Sequence, residues 1–448
     1  MCSLYCVVFH KEKVHSPKCW ALVFGSLLLL GGRLADLFGR KIVFLVGTVG
    51  FAGASALAGA AQNFEVLVTG RALQGLFGAL LAPAALALLN DTFTEARERA
   101  RAFGVFGAIG GAGGGLGLLL GGLLTEHLNW RWTLYVNLAF AALAFTGGML
   151  LMRSGAPAQR PKLDLPGTLL ASIGLFGLVL GFSRAEQHGW SSPQTWGFLA
   201  AAGLVLAAFA WWQTHAPHPL LPLRILADRT RGAAFLMVAL SSAGMFGVFL
   251  FLTYYMQALL GFTPVRTGIA FLPMIGILMV VAQLSISVLI PRFGPKTVVP
   301  VGMLMAAAGL VMLTGLDLDS GYAAHILPPL LILGVGLGLV MPPAMSLGIN
   351  GVTTHDAGAA SAAVNTMQQV GGAVGTALLN TLAASAAGAY LADHGRTPAD
   401  LAQAQLESYS TAYWWSAGLF AVGAVIAALL FRRGRPDPAP EGATVVHM

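Results

Sequence analysis

Charge is what this sequence has least of. Asp, Glu, Lys and Arg make up 10% of its 448 residues, against about 25% charged residues in a soluble domain. Apolar residues reach 56%, and the mean hydropathy is +0.75. A water-soluble globule is excluded, and a membrane composition takes its place. No Asp or Glu stands in the middle of an apolar run; Glu65, Asp91 and Glu126 lie only at run ends. Cysteine is confined to Cys2, Cys6 and Cys19. With no pairing motif around them, these imply neither a disulfide framework nor a metal site. No G-x-x-x-x-G-K-[ST] string occurs, so the glycine-rich stretch 113–122 is no phosphate loop. Neither a cofactor nor an enzyme is expected.

What remains is apolar length. A membrane-crossing helix takes about 20 apolar residues, because its backbone must satisfy its own hydrogen bonds. Thirteen runs are candidates: 20–32, 42–61, 66–89, 102–124, 132–152, 166–184, 195–214, 233–256, 265–290, 297–316, 324–350, 358–388 and 409–431. The first is too short to span comfortably, and extending it back to residue 14 would bury Lys18, Pro17 and His15. Alternating the loops between two sides sorts the basic residues. Seventeen collect on one side and four, Arg131, Arg184, Arg266 and Arg396, on the other; Arg71 inside a run and Lys11, Lys13 and Lys18 complete the 25. By the positive-inside rule the crowded side is the cytoplasm. The net charge of +7 thus reflects orientation, and no nucleic-acid partner is expected. The expectation is a multi-pass protein of the plasma (inner) membrane, with the lipid bilayer as a partner and its C-terminus cytoplasmic.

The chain also echoes itself. "LFGRKIVFLVG" (37–47) returns as "RFGPKTVVPVG" (292–302), with Phe38, Gly39, Lys41 and Gly47 matching Phe293, Gly294, Lys296 and Gly302. Both copies fall on the same side, as a parallel internal repeat requires. Counting runs around them predicts an all-α protein of two pseudo-symmetric six-helix halves with a central helix pair. The first helix of the first half is expected to be missing. The corresponding divisions are an atypical segment at 1–19, an incomplete five-span bundle at 20–152, a linker with two extra helices at 153–232, a six-helix bundle at 233–431 and a cytoplasmic tail at 432–448. The N-terminal lysines oppose the orientation set by Arg33, Arg40 and Lys41, so this start is expected to be a truncation or a misassigned frame.

"GRLADLFGRK" (32–41) is similar to the signature loop of the major facilitator superfamily, through Gly32, Asp36, Gly39, Arg40 and Lys41. Leu37 stands where that family usually has a basic residue. "RALQGLFGALLAP" (71–83) resembles its fourth-helix signature through Arg71, Gln74 and Gly75, and "GGGLGLLLGG" (113–122) resembles its antiporter signature, with Leu118 replacing the usual Pro. The central pair, "NWRWTLYVN" (129–137) and "NTMQQVGGAVG" (365–375) look like the fourteen-span drug:proton antiporter branch of EmrB/QacA type. The resemblance covers residues 22 to 431 and implies rocking between inward-open and outward-open states, with protons and a small amphiphilic substrate as partners.

Each motif has a physical reading of its own. The stretch 31–41 reads as a short loop whose Asp36 carboxylate could pair in one state only, a latch, or could simply be solvated. Arg71 is the one charge deep in a run; insertion scales put such a residue at about +2.5 to 3.5 kcal/mol, so it must face a cavity or a partner. The resemblance assigns it to proton coupling, with Gln74 as a hydrogen-bonding neighbour; a structural pin is the alternative. Gly113, Gly117 and Gly121 recur at every fourth position, with Gly122 alongside, and read as a ridge for close helix packing. Asn365, Gln369, Gly372, Thr376 and Asn380 share one helical face, as interhelical glue or as cavity lining. Phe246, Phe249, Thr253, Tyr254 and Gln257 are candidates for an aromatic pocket with a few polar groups, unless the aromatics face lipid.

The function expected is proton-coupled efflux of amphiphilic small molecules by a monomer. The alternatives are export of one endogenous metabolite or antibiotic, and a truncated, transport-inactive membrane protein. The absence of a mid-run carboxylate, which proton-exchanging carriers of cations usually need, argues for the last alternative: without the first helix, the chain as written is expected not to couple transport to protons.

Overall fold

The computed structural model describes residues 16–92, 113, 117, 119–152, 164–190, 192–217, 219–349, 357–395 and 397–432. All regular structure among them is helical. Twelve long helices run through it: α1 (Ser16–Phe38), α2 (Arg40–Gly59), α3 (Phe64–Thr92), α4 (Trp132–Leu151), α5 (Leu165–His188), α6 (Pro193–His215), α7 (Arg229–Tyr254), α8 (Pro264–Leu284), α9 (Pro295–Leu313), α10 (Leu327–Ile349), α11 (Ala357–His394) and α12 (Pro398–Leu430). Residues 119–127 are helical as well, the described end of the run expected at 102–124. Eleven of the described helices are long and apolar enough to cross a membrane, and α1 carries a shorter apolar stretch, Val23–Gly32. This agrees with the expectation of about thirteen spans.

Two boundaries differ from the sequence reading. The stretch 31–41 is not a loop: α1 continues to Phe38, α2 begins at Arg40, and the turn is Gly39 alone, at φ 91° and ψ 131°. Gly32 and Asp36 therefore lie on the last turns of a helix. Nothing from Gly31 to Phe38 breaks a helix strongly except the Gly pair, so hydropathy falls before helicity does. At the other end, α12 starts at Pro398, well before the apolar run at 409. A capping box explains it: Thr397 and Asp400 exchange side-chain-to-backbone hydrogen bonds, with Pro398 at the first helical position.

The internal echo has a structural cause. Gly294 joins the helical turn Ile290–Phe293 to α9 at φ 77° and ψ 159°, the counterpart of Gly39. Both angles lie in a region essentially reserved for glycine. Gly47 and Gly302, also paired in the echo, sit where a second helix comes close. A Cβ on Gly47 would stand 3.3 Å from Phe77 O of α3, and one on Gly302 would stand 2.9 Å from Gly336 O of α10. The pairings repeat too: α1 with α3, α2 with α3 and α2 with α4 in the first half; α8 with α10, α9 with α10 and α9 with α12 in the second. Two pseudo-symmetric halves are thus visible in the contacts.

The central pair, α5 and α6, fits together through glycines. Cβ atoms on Gly174, Gly177 and Gly181 would meet Leu206, Ala202 and Leu199 of α6, so the two backbones approach closely. Helix α5 also leans on α1 and on α11. The largest continuous core runs through α7 to α12; it takes in Ala171 of α5, Phe209 of α6, and Leu220, Leu221 and Ile225 from the connection that follows.

Candidate functional site

Burial singles out one polar chain in the first half. Arg71, 7% exposed, donates from Nη1 to Gln74 Oε1 at 2.7 Å; Gln74, fully buried, donates from Nε2 to Ser55 Oγ at 2.5 Å. Arg71 and Gln74 are neighbours because they lie three residues apart on α3, and Ser55 reaches them from α2. Since an arginine can only donate, the Gln74 oxygen must face it, which leaves the amide nitrogen for Ser55. Glycines let α2 and α3 come this close: a Cβ on Gly70 would stand 2.8 Å from Ala58 Cβ. The chain therefore places a cation inside an apolar bundle, with a neutral amide oxygen as one of its acceptors. Ser55 was missed in the sequence because a lone serine in an apolar run carries no signal.

The signature stretch at the end of α1 does its visible work through Lys41. Its ammonium donates to Met149 O at 3.2 Å and Met152 O at 2.6 Å, carbonyls at the C-terminus of α4 that no helical N–H reaches. Lys41 thereby ties α2 to α4. Arg40 also has an interaction partner. The side chain of Asp36 lies outside the described side chains. Arg229 does for α12 what Lys41 does for α4, donating to Leu429 O.

On the face opposite Gly39, the first half touches the second. A Cβ on Gly122 would stand 3.0 Å from both Pro264 O and Val265 Cα at the start of α8. One turn on, Glu126 Oε2 accepts from Val265 N at 3.3 Å. Gly117 is buried and Gly121 half-buried, whereas Gly113 is exposed with nothing described within 4 Å of its Cβ position. Close packing in the antiporter-like stretch is thus seen at Gly122.

The two groups proposed as cavity lining meet at one point. Phe246 of α7 packs on Gly372 of α11, where a Cβ would stand 2.5 Å from the ring. Gly371 and Gly375 bring the two backbones together on either side, against Ala239 and Ala243. Phe249 pairs with Phe271 of α8 at 4.9 Å between ring centres. Thr253 is buried, its hydroxyl donating to Phe249 O of its own helix; Tyr254 and Gln257 are half-buried. On α11, Asn365 and Thr376 bond carbonyls of their own helix, at Ser361 and Gly372. Gln369 turns to α1, with its Cβ 3.2 Å from the Cβ position of Gly25. Asn380 is half-buried and partnered. The polar face of α11 therefore spans both halves: Gln369 lies against the first and Gly372 against the second.

One carboxylate escaped the sequence reading. Asp164, 7% exposed, caps the start of α5. It accepts from Gly167 N at 2.9 Å, Trp212 Nε1 at 2.7 Å, Gln213 Nε2 at 2.8 Å and Leu220 N at 3.3 Å. Burial pushes its pKa up, but the bonds from Trp212, Gln213, Gly167 and Leu220 outweigh this and hold it below the usual carboxylate range. The string "DLPG", an N-cap residue followed by proline, was the available signal. Among the described residues no group of three or more His, Cys, Asp or Glu could hold a metal.

Residues 19–376 match the family described as the Major Facilitator Superfamily. The chain is 48% identical over 413 residues to the puromycin resistance protein pur8 of Streptomyces alboniger, covering 92% of this chain and 82% of that one. It is 37% identical over 369 residues to the cephamycin export protein CmcT of Amycolatopsis lactamdurans, covering 82% and 76%. Among solved structures, an auto-inhibited peptide transporter of the POT family superposes with a TM-score of 0.64 at 18% identity, over 97% of this chain and 92% of that one. A bacterial homologue of the lysosomal transporter Spinster, inward-facing, gives 0.62 at 16% identity over 92% and 89%. At these identities the structures share a fold.

Proposed function

Because the chain belongs to the major facilitator superfamily, we propose that it exports amphiphilic, antibiotic-like molecules by alternating access, driven by the proton gradient. The observation that carries this reading is the identity of 48%, across 92% of the chain, to a puromycin resistance protein. Relatives named for multidrug transport support breadth: MdtP of Bacillus subtilis is 30% identical over 396 residues. In this reading the Gly39 face is cytoplasmic, and the chain divides into a bundle at 20–152, a hairpin at 153–232 and a second bundle at 233–431, in the manner of the fourteen-span EmrB/QacA branch. Gly122 and Glu126 hold the outer side closed, Arg71 biases protonation near the cavity, and Phe246, Phe249, Gln369 and Asn380 border the substrate path.

The test is expression in a drug-sensitive bacterium, with accumulation of puromycin and of several unrelated amphiphilic compounds measured before and after collapsing the proton gradient. Lowered accumulation that disappears on collapse supports the proposal. Unchanged accumulation of every compound overturns it in favour of an inactive chain. A second reading, export of a single compound, is favoured by relatives named for one antibiotic each: puromycin, tetracenomycin C and cephamycin. Protection against one compound only would select it.

A further inference from the structure

The central hairpin is bound to its surroundings unequally. Ala171, Phe209, Leu220, Leu221 and Ile225 belong to the continuous core of α7 to α12. The separate buried clusters of the first half contain no hairpin residue. At the Gly39 end, the Asp164 carboxylate gathers donors from three places in the chain: Gly167 on α5, Trp212 and Gln213 on α6, and the backbone of Leu220 beyond them. Gln213 completes the joint, its Oε1 accepting from Leu221 N at 3.0 Å. The joint leaves no room for a side chain at 167, since a Cβ on Gly167 would collide with Asp164 Oδ2 and Gln213 Nε2. From Leu221 the chain passes through the short helix Leu223–Ala227 to Asp228, which caps α7 by accepting from Arg231 N at 3.0 Å. Arg229, the next residue, holds the end of α12. Hydrogen bonds and core packing thus run without a break from the hairpin into the second half. Toward the first half, α5 has a side-by-side contact with α1.

We propose that Asp164 fastens the α5–α6 hairpin to the second half, so that the two move as one body and the α1–α5 seam is the surface that slides when the halves rock. The proposal rests on the alternating-access reading above. Every donor to Asp164 is neutral, so the joint is made of directed hydrogen bonds to a buried carboxylate and tolerates little displacement. An asparagine at this position would turn an amide N–H₂ toward donors. Gln213 cannot flip to compensate without losing Leu221 N.

Spin labels on full-length protein in lipid nanodiscs test this. The positions are Ile42 on α2, its repeat counterpart Thr297 on α9, and Leu169 on α5, all exposed, in a background with Cys2, Cys6 and Cys19 changed to serine. Distances are read at acidic and alkaline pH, with and without puromycin. The expected result is that Ile42–Thr297 and Leu169–Ile42 shift together while Leu169–Thr297 stays fixed. A shift in Leu169–Thr297 that accompanies the rocking overturns the proposal alone. A fixed Ile42–Thr297 distance in all four conditions overturns the rocking reading and the proposal with it. Asp164→Asn is expected to broaden the Leu169–Thr297 distribution, as is the milder Gln213→Leu; narrow distributions in both remove Asp164 from the fastening.

Discussion

Replacing Gln74 by leucine keeps most of the side-chain volume and removes two polar contacts at once. Arg71 loses the acceptor 2.7 Å from its Nη1, and Ser55 loses the donor 2.5 Å from its hydroxyl. A hydrogen bond to a charged group contributes about 1.5–3 kcal/mol. The serine can turn its hydroxyl to a carbonyl of its own helix, so its share is at most about 1 kcal/mol. Gln74→Leu should therefore destabilise the protein by about 1.5–4 kcal/mol. Ser55→Ala in the wild-type background strands the buried Gln74 amide and should cost about 1–3 kcal/mol. In the Gln74→Leu background no such amide remains, and the same change should cost little. The three variants and the parent form a double-mutant cycle, readable by reversible unfolding in mixed detergent micelles. Additive costs, or a loss below about 1 kcal/mol for Gln74→Leu, would refute the chain as a coupled unit.

Three further outcomes are open to direct measurement. Gly39→Ala meets nothing within 4 Å of its new Cβ, so its whole cost, about 1–3 kcal/mol, is backbone strain; Gly294→Ala should add to it within about 0.5 kcal/mol in the same unfolding assay. Lys41→Met uncaps the end of α4 and should cost about 0.3–1 kcal/mol, seen as faster amide exchange at Met152. Asp164 has a depressed folded pKa, so its contribution is fully present above the ordinary carboxylate range and is lost as pH falls through the lower folded value; acid unfolding should begin in that window and shift little further with pH in Asp164→Asn.

Much of the architecture was readable because membrane helices announce themselves by length, and the internal echo marked places that favour glycine, Gly39 with Gly294 by backbone angle and Gly47 with Gly302 by the close approach of a second helix. Arg71 stood out as a charge in an apolar run, and its nearest partner, Gln74, followed from helical spacing. Ser55 and Asp164 did not stand out. A serine costs almost nothing in an apolar run, so its role depends on which helix lies opposite. Asp164 sits just outside a run, where a carboxylate looks solvated, and only the return of Trp212, Gln213 and Leu220 buries it. The extent of α12 was hidden for a related reason: hydropathy marks the membrane, whereas Thr397 and Asp400 mark the helix.

The basic side chains on helix ends carry a consequence for building hybrids of this protein and its relatives. During insertion a loop charge acts by its sign, and any lysine or arginine will do. Once folded, Lys41 has become a specific bond to carbonyls of Met149 and Met152, more than a hundred residues downstream. A chimera that takes α2 from one parent and α4 from another keeps its orientation in the membrane yet must rebuild that bond across foreign backbones. A junction placed beyond Met152 keeps both partners in one parental segment.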